Sequence, residues 1–98
     1  MNIQKTVEGK AVTLVPEGRI DTLTAPDFRQ AVAESIEGMD ALVIDCSELK
    51  YISSAGLRVL MSAHKSMLQK DGMKIVNVRP MILEVFEATG LDEVFDIE

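Results

Sequence analysis

The chain has 98 residues, 47% of them hydrophobic and 27% charged, which suits one packed core and is too apolar for a disordered segment. Sixteen acidic residues against ten scattered basic ones leave a formal net charge of −6, so nucleic acid and anionic membrane surfaces are poor partners. A lone cysteine, Cys46, allows no intramolecular disulfide and reads as a small core residue in a reducing compartment.

Met1 to Thr6 carry no apolar run of signal-peptide length, and no stretch approaches transmembrane length, so the expected location is the cytoplasm, without direct membrane insertion. Residues 2 to 6 and 11 to 15 read as two strands joined by a tight turn at Glu8-Gly9-Lys10. Pro16-Glu17-Gly18 interrupts the second strand, and Gly18 suggests a bulge before Arg19-Ile20-Asp21 continues it. Thr24-Ala25-Pro26-Asp27 is a helix start, with a Thr cap, a Pro in the first turn and an early acid. Phe28, Ala31, Val32, Ser35 and Ile36 then form its inward face, and Gly38 stops it.

Ala41-Leu42-Val43-Ile44 is a short apolar run, expected of a strand buried on both faces. A polar loop follows from Asp45, and a helix begins near Ser54. Leu57, Leu60, Met61, His64, Met67 and Leu68 recur on its inner side, while Arg58, Lys65 and Gln69 can face water. Asp71-Gly72 ends that segment, and Met73 to Val78 alternates as a strand. Pro80 opens a third helix that buries Ile82, Val85 and Phe86 and closes at Gly90, with Leu91 folding back; Val94 to Ile97 is a final short strand. The order β-β-α-β-α-β-α-β, with helices as crossovers after one hairpin, predicts a single α/β domain over residues 1–98 with a mixed, mostly parallel sheet.

The chemistry-bearing position is the start of the second helix. The first backbone N–H groups of a helix lack intrahelical partners and the dipole is positive there, so a side-chain oxygen or a phosphate is favoured. Ser53 and Ser54 sit at that point, and either can also serve as the N-cap. Ala55 and Gly56 add no bulk beside them, which lets another protein approach closely.

Enzymatic chemistry finds few convergent groups. His64 follows Ser54 by ten residues on one helix, about 15 Å along its axis and beyond general-base reach, and it falls on the apolar stripe as a core-edge imidazole. Asp21 and Asp45 both follow strands, but no third carboxylate is in phase for a metal; their expected role is to accept loop N–H bonds. No glycine-rich phosphate loop is present, so any ATP is held by a partner. Neither a cofactor nor a catalytic residue is expected.

Asp45, Ser47, Tyr51-Ile52-Ser53-Ser54-Ala55-Gly56-Leu57 and Val59-Leu60, together with Gly18-Arg19-Ile20-Asp21, resemble the signature of STAS domains, specifically the small anti-sigma factor antagonists. The resemblance implies helices mainly on one face of the sheet and a phosphate acceptor two residues before the glycine, at Ser54. Family members often have Asp before that serine and Ser after it. Ser53 and Ala55 stand there in this chain, so Ser53 is a competing acceptor. The resemblance also implies docking on an anti-sigma factor serine kinase through Asp21, Thr22, Leu23, Ser53, Ser54, Ala55, Gly56 and Arg58, release of a sigma factor, and resetting by a PP2C-type serine phosphatase. The alternative it offers is a scaffold subunit of a membrane-transport or other signalling complex, contacting an ATPase or kinase without being phosphorylated.

Overall fold

The computed structural model describes all 98 residues, Met1–Glu98. Alternation along the chain builds the main sheet. In β2 (Ala11–Pro16), Val12 and Leu14 are buried while Thr13 and Val15 are only half-buried. The same alternation runs through β4 (Ala41–Asp45) and β6 (Met73–Val76), whose buried members are Leu42, Ile44, Met73 and Ile75. In register, Val12 pairs with Leu42 and Leu42 with Met73; Leu14 pairs with Ile44 and Ile44 with Ile75. Successive side chains of a strand point to opposite faces, so these six residues form two rows on one face. Helices cover that face. β4 is therefore not buried on both sides as its apolar run suggested, because Ala41, Val43 and Asp45 remain half-exposed on the other.

The five-stranded sheet runs β1-β2-β4-β6-β7, with β1 (Ile3–Glu8) antiparallel to β2 and every other pair, including β6 with β7 (Asp96–Ile97), parallel. Parallel neighbours need long crossovers, and the helices supply them: α1 (Ala25–Ile36), α2 (Ser54–Met67) and α3 (Pro80–Thr89). Phe28, Val32, Leu60, Ala63, Met67, Ile82 and Phe86 join the sheet rows in one core. No helix is long and apolar enough to cross a membrane.

A second, two-stranded sheet departs from the expected order. β3 (Gly18–Ile20) does not continue β2; it leaves the main sheet and pairs in parallel with β5 (Leu49–Ile52), inside the stretch expected to be a polar loop. The register shifts between Gly18 and Arg19, and Gly18 has φ 85°, so the irregularity expected there is real and marks a change of sheet. The buried residues of β5, Leu49 and Ile52, are three apart, with Lys50 and Tyr51 exposed between them. A two-residue interval of this kind does not show the period-2 pattern by which a strand is recognised.

Smaller differences have local causes. Leu68 is 63% exposed because α2 ends at Met67 and Leu68 lies past the last turn; Val59 and Ala63 take core places instead. β6 stops at Val76, where Asn77 turns the chain at φ 56°, a conformation Asn tolerates better than most residues. Val94 and Phe95 are not strand. Gly90 closes α3 in the left-handed region, a 3-10 turn covers Leu91–Glu93, and only Asp96–Ile97 form β7. Phe95 is free to insert between two aromatic edges, 5.8 Å from the His64 ring and 5.6 Å from that of Phe86.

Gly56 is the tightest point of the fold. A β-carbon there would stand 2.7 Å from Ile20 Cγ2 and 2.7 Å from Ile52 Cγ1, so the first turn of α2 rests directly on the β3–β5 ribbon. In a helix, Gly→Ala ordinarily stabilises by about 0.5–1 kcal/mol. Here the steric cost reverses the sign. Gly56→Ala should lower stability by roughly 1–3 kcal/mol in chemical denaturation, and a gain in stability would show that the ribbon yields easily.

Candidate functional site

Because β3 and β5 run parallel with Ile20 opposite Ile52, the residues that follow them emerge side by side. The Ser53 N–H donates to the Ile20 carbonyl at 2.8 Å, which joins the two exits. One exit leads through Asp21, Thr22 and Leu23 into α1; the other leads through Ser53 into α2.

The two serines differ. Ser53 has an extended backbone (φ −93°, ψ 174°), is half-buried, and is the N-cap of α2. Its Oγ accepts from the Gly56 N–H at 3.5 Å, a long bond, and its carbonyl accepts from the Leu57 N–H at 3.0 Å. Ser54 is the first helical residue and is exposed, and its hydroxyl makes no hydrogen bond within the chain. The cap and the free hydroxyl are thus neighbouring residues.

The Asp21 loop is closed by its own side chains. Asp21 Oδ1 accepts from the N–H groups of Leu23 and Thr24 at 3.0 and 3.1 Å. Thr24 Oγ1 accepts from the Asp21 N–H at 2.9 Å and donates to the Arg19 carbonyl at 2.8 Å. Thr24 therefore occupies the cap position of α1 but spends its hydroxyl on the preceding loop, contrary to the expected cap. The Thr24 N–H is the main cause that holds the Asp21 carboxyl below its usual value; partial desolvation opposes it, and the Leu23 N–H, the Thr24 hydroxyl and the Arg19 charge assist. The loop so fixed presents Leu23 to solvent, 87% exposed.

Arg19 and Tyr51, paired across the ribbon, add to this surface: the guanidinium lies 4.2 Å from the Tyr51 ring centroid, within cation–π range. Neither was singled out from sequence as a contact residue, because their proximity depends on β5 being a strand. Arg58 is exposed one turn after Ser54. Ala55 is half-buried against the core. Gly56 is buried and faces Ile20 and Ile52, so its lack of a side chain serves internal packing and gives a partner no access. Of the eight residues expected at the surface, Thr22, Leu23, Ser54 and Arg58 are exposed, Asp21, Ser53 and Ala55 are half-buried, and Gly56 is buried.

The remaining titratable groups play other parts. Asp45 Oδ1 accepts from the Ser47 N–H at 2.9 Å and the Asn77 amide at 3.1 Å. Partial burial raises its pKa, but the bonds from Ser47 and Asn77 outweigh that and leave it lowered. Both aspartates thus accept loop N–H bonds, as their positions after strands suggested. Cys46 is buried, and burial together with the Asp45 carboxylate pushes its thiol up to about 12, where it is inert as a nucleophile. His64 and Ser54 both lie in α2, ten residues apart, and the imidazole packs on Phe95 with a buried Nδ1 that has no partner.

The family model of the STAS domain matches residues 2–98. The chain is 34% identical over 84 residues to the anti-sigma-B factor antagonist of Listeria monocytogenes, covering 83% of this chain and 73% of that one. It is 30% identical over 81 residues to the anti-sigma-B factor antagonist of Bacillus subtilis, covering 82% and 74%. Among solved structures, an anti-sigma factor antagonist from Mycobacterium paratuberculosis is similar at a TM-score of 0.89 and 27% identity, covering 98% of this chain and 83% of that one. With a family match over nearly its whole length and relatives of this kind, the chain belongs to the STAS domain family.

Proposed function

We propose that this protein is an anti-sigma factor antagonist: a non-enzymatic binding module that docks on an anti-sigma factor serine kinase, frees a sigma factor, and is switched off by phosphate on Ser54. The observation that carries this is the exposed, unbonded Ser54 hydroxyl at the start of α2, flanked by the braced Asp21–Leu23 loop, while Ser53 is engaged as the cap. The names of the curated relatives support the antagonist assignment.

The unmodified face has the makings of a small docking site, with Leu23 as an apolar anchor, Asp21 ionised two residues before it, the Arg19–Tyr51 pair on the ribbon below, and Arg58 exposed one turn into α2. Transfer from the kinase's ATP would add about −1.5 to −2 charges to a chain already at −6. The α2 N-terminus favours such an anion by roughly 0.3–1 kcal/mol, so the phosphate strains nothing inside the domain. At the docked interface it opposes binding wherever it meets acids or desolvated contacts. The switch therefore acts on affinity and leaves the fold in place. A PP2C-type serine phosphatase would restore the hydroxyl, and the whole cycle belongs in the cytoplasm.

Incubation with a serine kinase of the anti-sigma type and ATP, followed by peptide mapping, should place one phosphate on Ser54 and none on Ser53. Ser53→Ala should cost about 0.5–1 kcal/mol of stability through the lost cap yet still accept phosphate, whereas Ser54→Ala should keep its stability, bind the kinase and resist modification. Ser54→Asp should bind the kinase more weakly with an unfolding midpoint close to that of the parent. Unfolding of Ser54→Asp, or a phosphate found on Ser53, would contradict the division of roles between the two serines.

The Asp21 brace has a pH signature. Its folded pKa is lowered from 3.8, so the stability it contributes is fully present above that value and is lost only as pH falls through the lower folded pKa. A carboxyl-carbon NMR titration should find Asp21 below 3.8; a value at or above it would mean that the loop is open in solution.

A further inference from the structure

The largest cavity lies away from the Ser54 face, where α3 begins. Leu49, Lys50, Arg79, Pro80, Met81 and Ile82 line an open cleft of about 450 Å³, within the usual size range of small-molecule sites. Leu49 and Ile82 are core residues, and Met81 stands beside them 71% exposed, a large apolar side chain left in water. The polar members are both cations, in a chain of net charge −6, and neither Lys50 nor Arg79 forms an ion pair. Arg79 is also held in place: its Nε and Nη2 donate to the Ser47 carbonyl at 3.0 and 2.8 Å. A guanidinium has five N–H donors in a rigid fork, so donors remain for a ligand.

We propose that this cleft binds a small amphiphile with an anionic head and a short aliphatic chain. The head lies at Lys50 and Arg79, and the chain lies against the exposed Pro80 and Met81, above the buried Leu49 and Ile82. An inorganic anion would leave the exposed Met81 and Pro80 in water, and a neutral apolar molecule would leave the two cations unused. Carboxylate and phosphate-monoester heads share this chemistry. The site occupies the first half of β5, whereas Ser53 and Ser54 follow its last residue, so it stands independently of the proposed phosphorylation.

The test is an NMR titration of the isotope-labelled full chain with octanoate, mono-octyl phosphate and octanol, each kept below its self-association concentration. At least one anion should give saturable shifts at Lys50, Met81 and Ile82, with octanol weaker by roughly fivefold or more. Lys50→Glu, at an exposed position, should keep a folded spectrum and lose roughly fivefold in affinity for the anion. Arg79→Gln alone would be ambiguous, since Arg79 also holds Ser47; Met81→Asp, exposed and free of that duty, should likewise weaken binding. A response to octanoate alone assigns a carboxylate head and one to mono-octyl phosphate alone a phosphate head, and either upholds the site. Absence of saturation with all three, octanol binding as tightly as the anions, or Lys50→Glu binding like the parent would overturn it.

Discussion

Everything at the candidate site depends on the contact of α2's first turn with the β3–β5 ribbon. Gly56 brings the helix so close to Ile20 and Ile52 that a single methyl group would overlap both. The ribbon in turn is joined to the helix by the bond from the Ser53 N–H to the Ile20 carbonyl. Helix start, strand ends and the Asp21–Leu23 loop therefore form one rigid corner. A surface built on the ends of regular elements can keep its shape when a charge is added, because the backbone that carries it is packed and hydrogen-bonded elsewhere.

The corner also separates two jobs that one residue type could confuse. Ser is both a good helix cap and a good phosphate acceptor. A serine serving as the cap has its oxygen turned toward the helix N–H groups, whereas one residue later the side chain is clear of them. Ser53 and Ser54 divide in this way, the first half-buried and bonded, the second exposed and unbonded. The positive helix end nearby would give a phosphate a favourable electrostatic setting within the domain, so the proposed modification would be felt chiefly by a docked partner.

The helices and most strands of the main sheet were legible because each carries a strong, uninterrupted period: Phe28 and Val32 in α1, Leu57 and Leu60 in α2, and the alternation of Val12 and Leu14 in β2. The start of α2 was legible for the same reason, as apolar periodicity begins just past two serines. The ribbon was not. β5 buries only Leu49 and Ile52 and shows Lys50 and Tyr51 to water, so on paper it looks like the loop around it. With β5 hidden, Arg19 and Tyr51 could not be seen as neighbours, and Gly56 read as an opening for a partner when it is a packing position. Thr24 likewise carries every local mark of a cap, but the Asp21 loop competes for its hydroxyl, and that competition is tertiary.

The proposed switch is a change of affinity without a change of fold. The direct measurement is the dissociation constant for the anti-sigma factor kinase of the unmodified protein and of the same protein carrying phosphate at Ser54, with the unfolding midpoint of each taken alongside. Weaker binding by the phosphorylated form, with midpoints that nearly coincide, is the expected result. Equal affinities, or a phosphorylated form that binds weakly only because it has lost its stability, would contradict it.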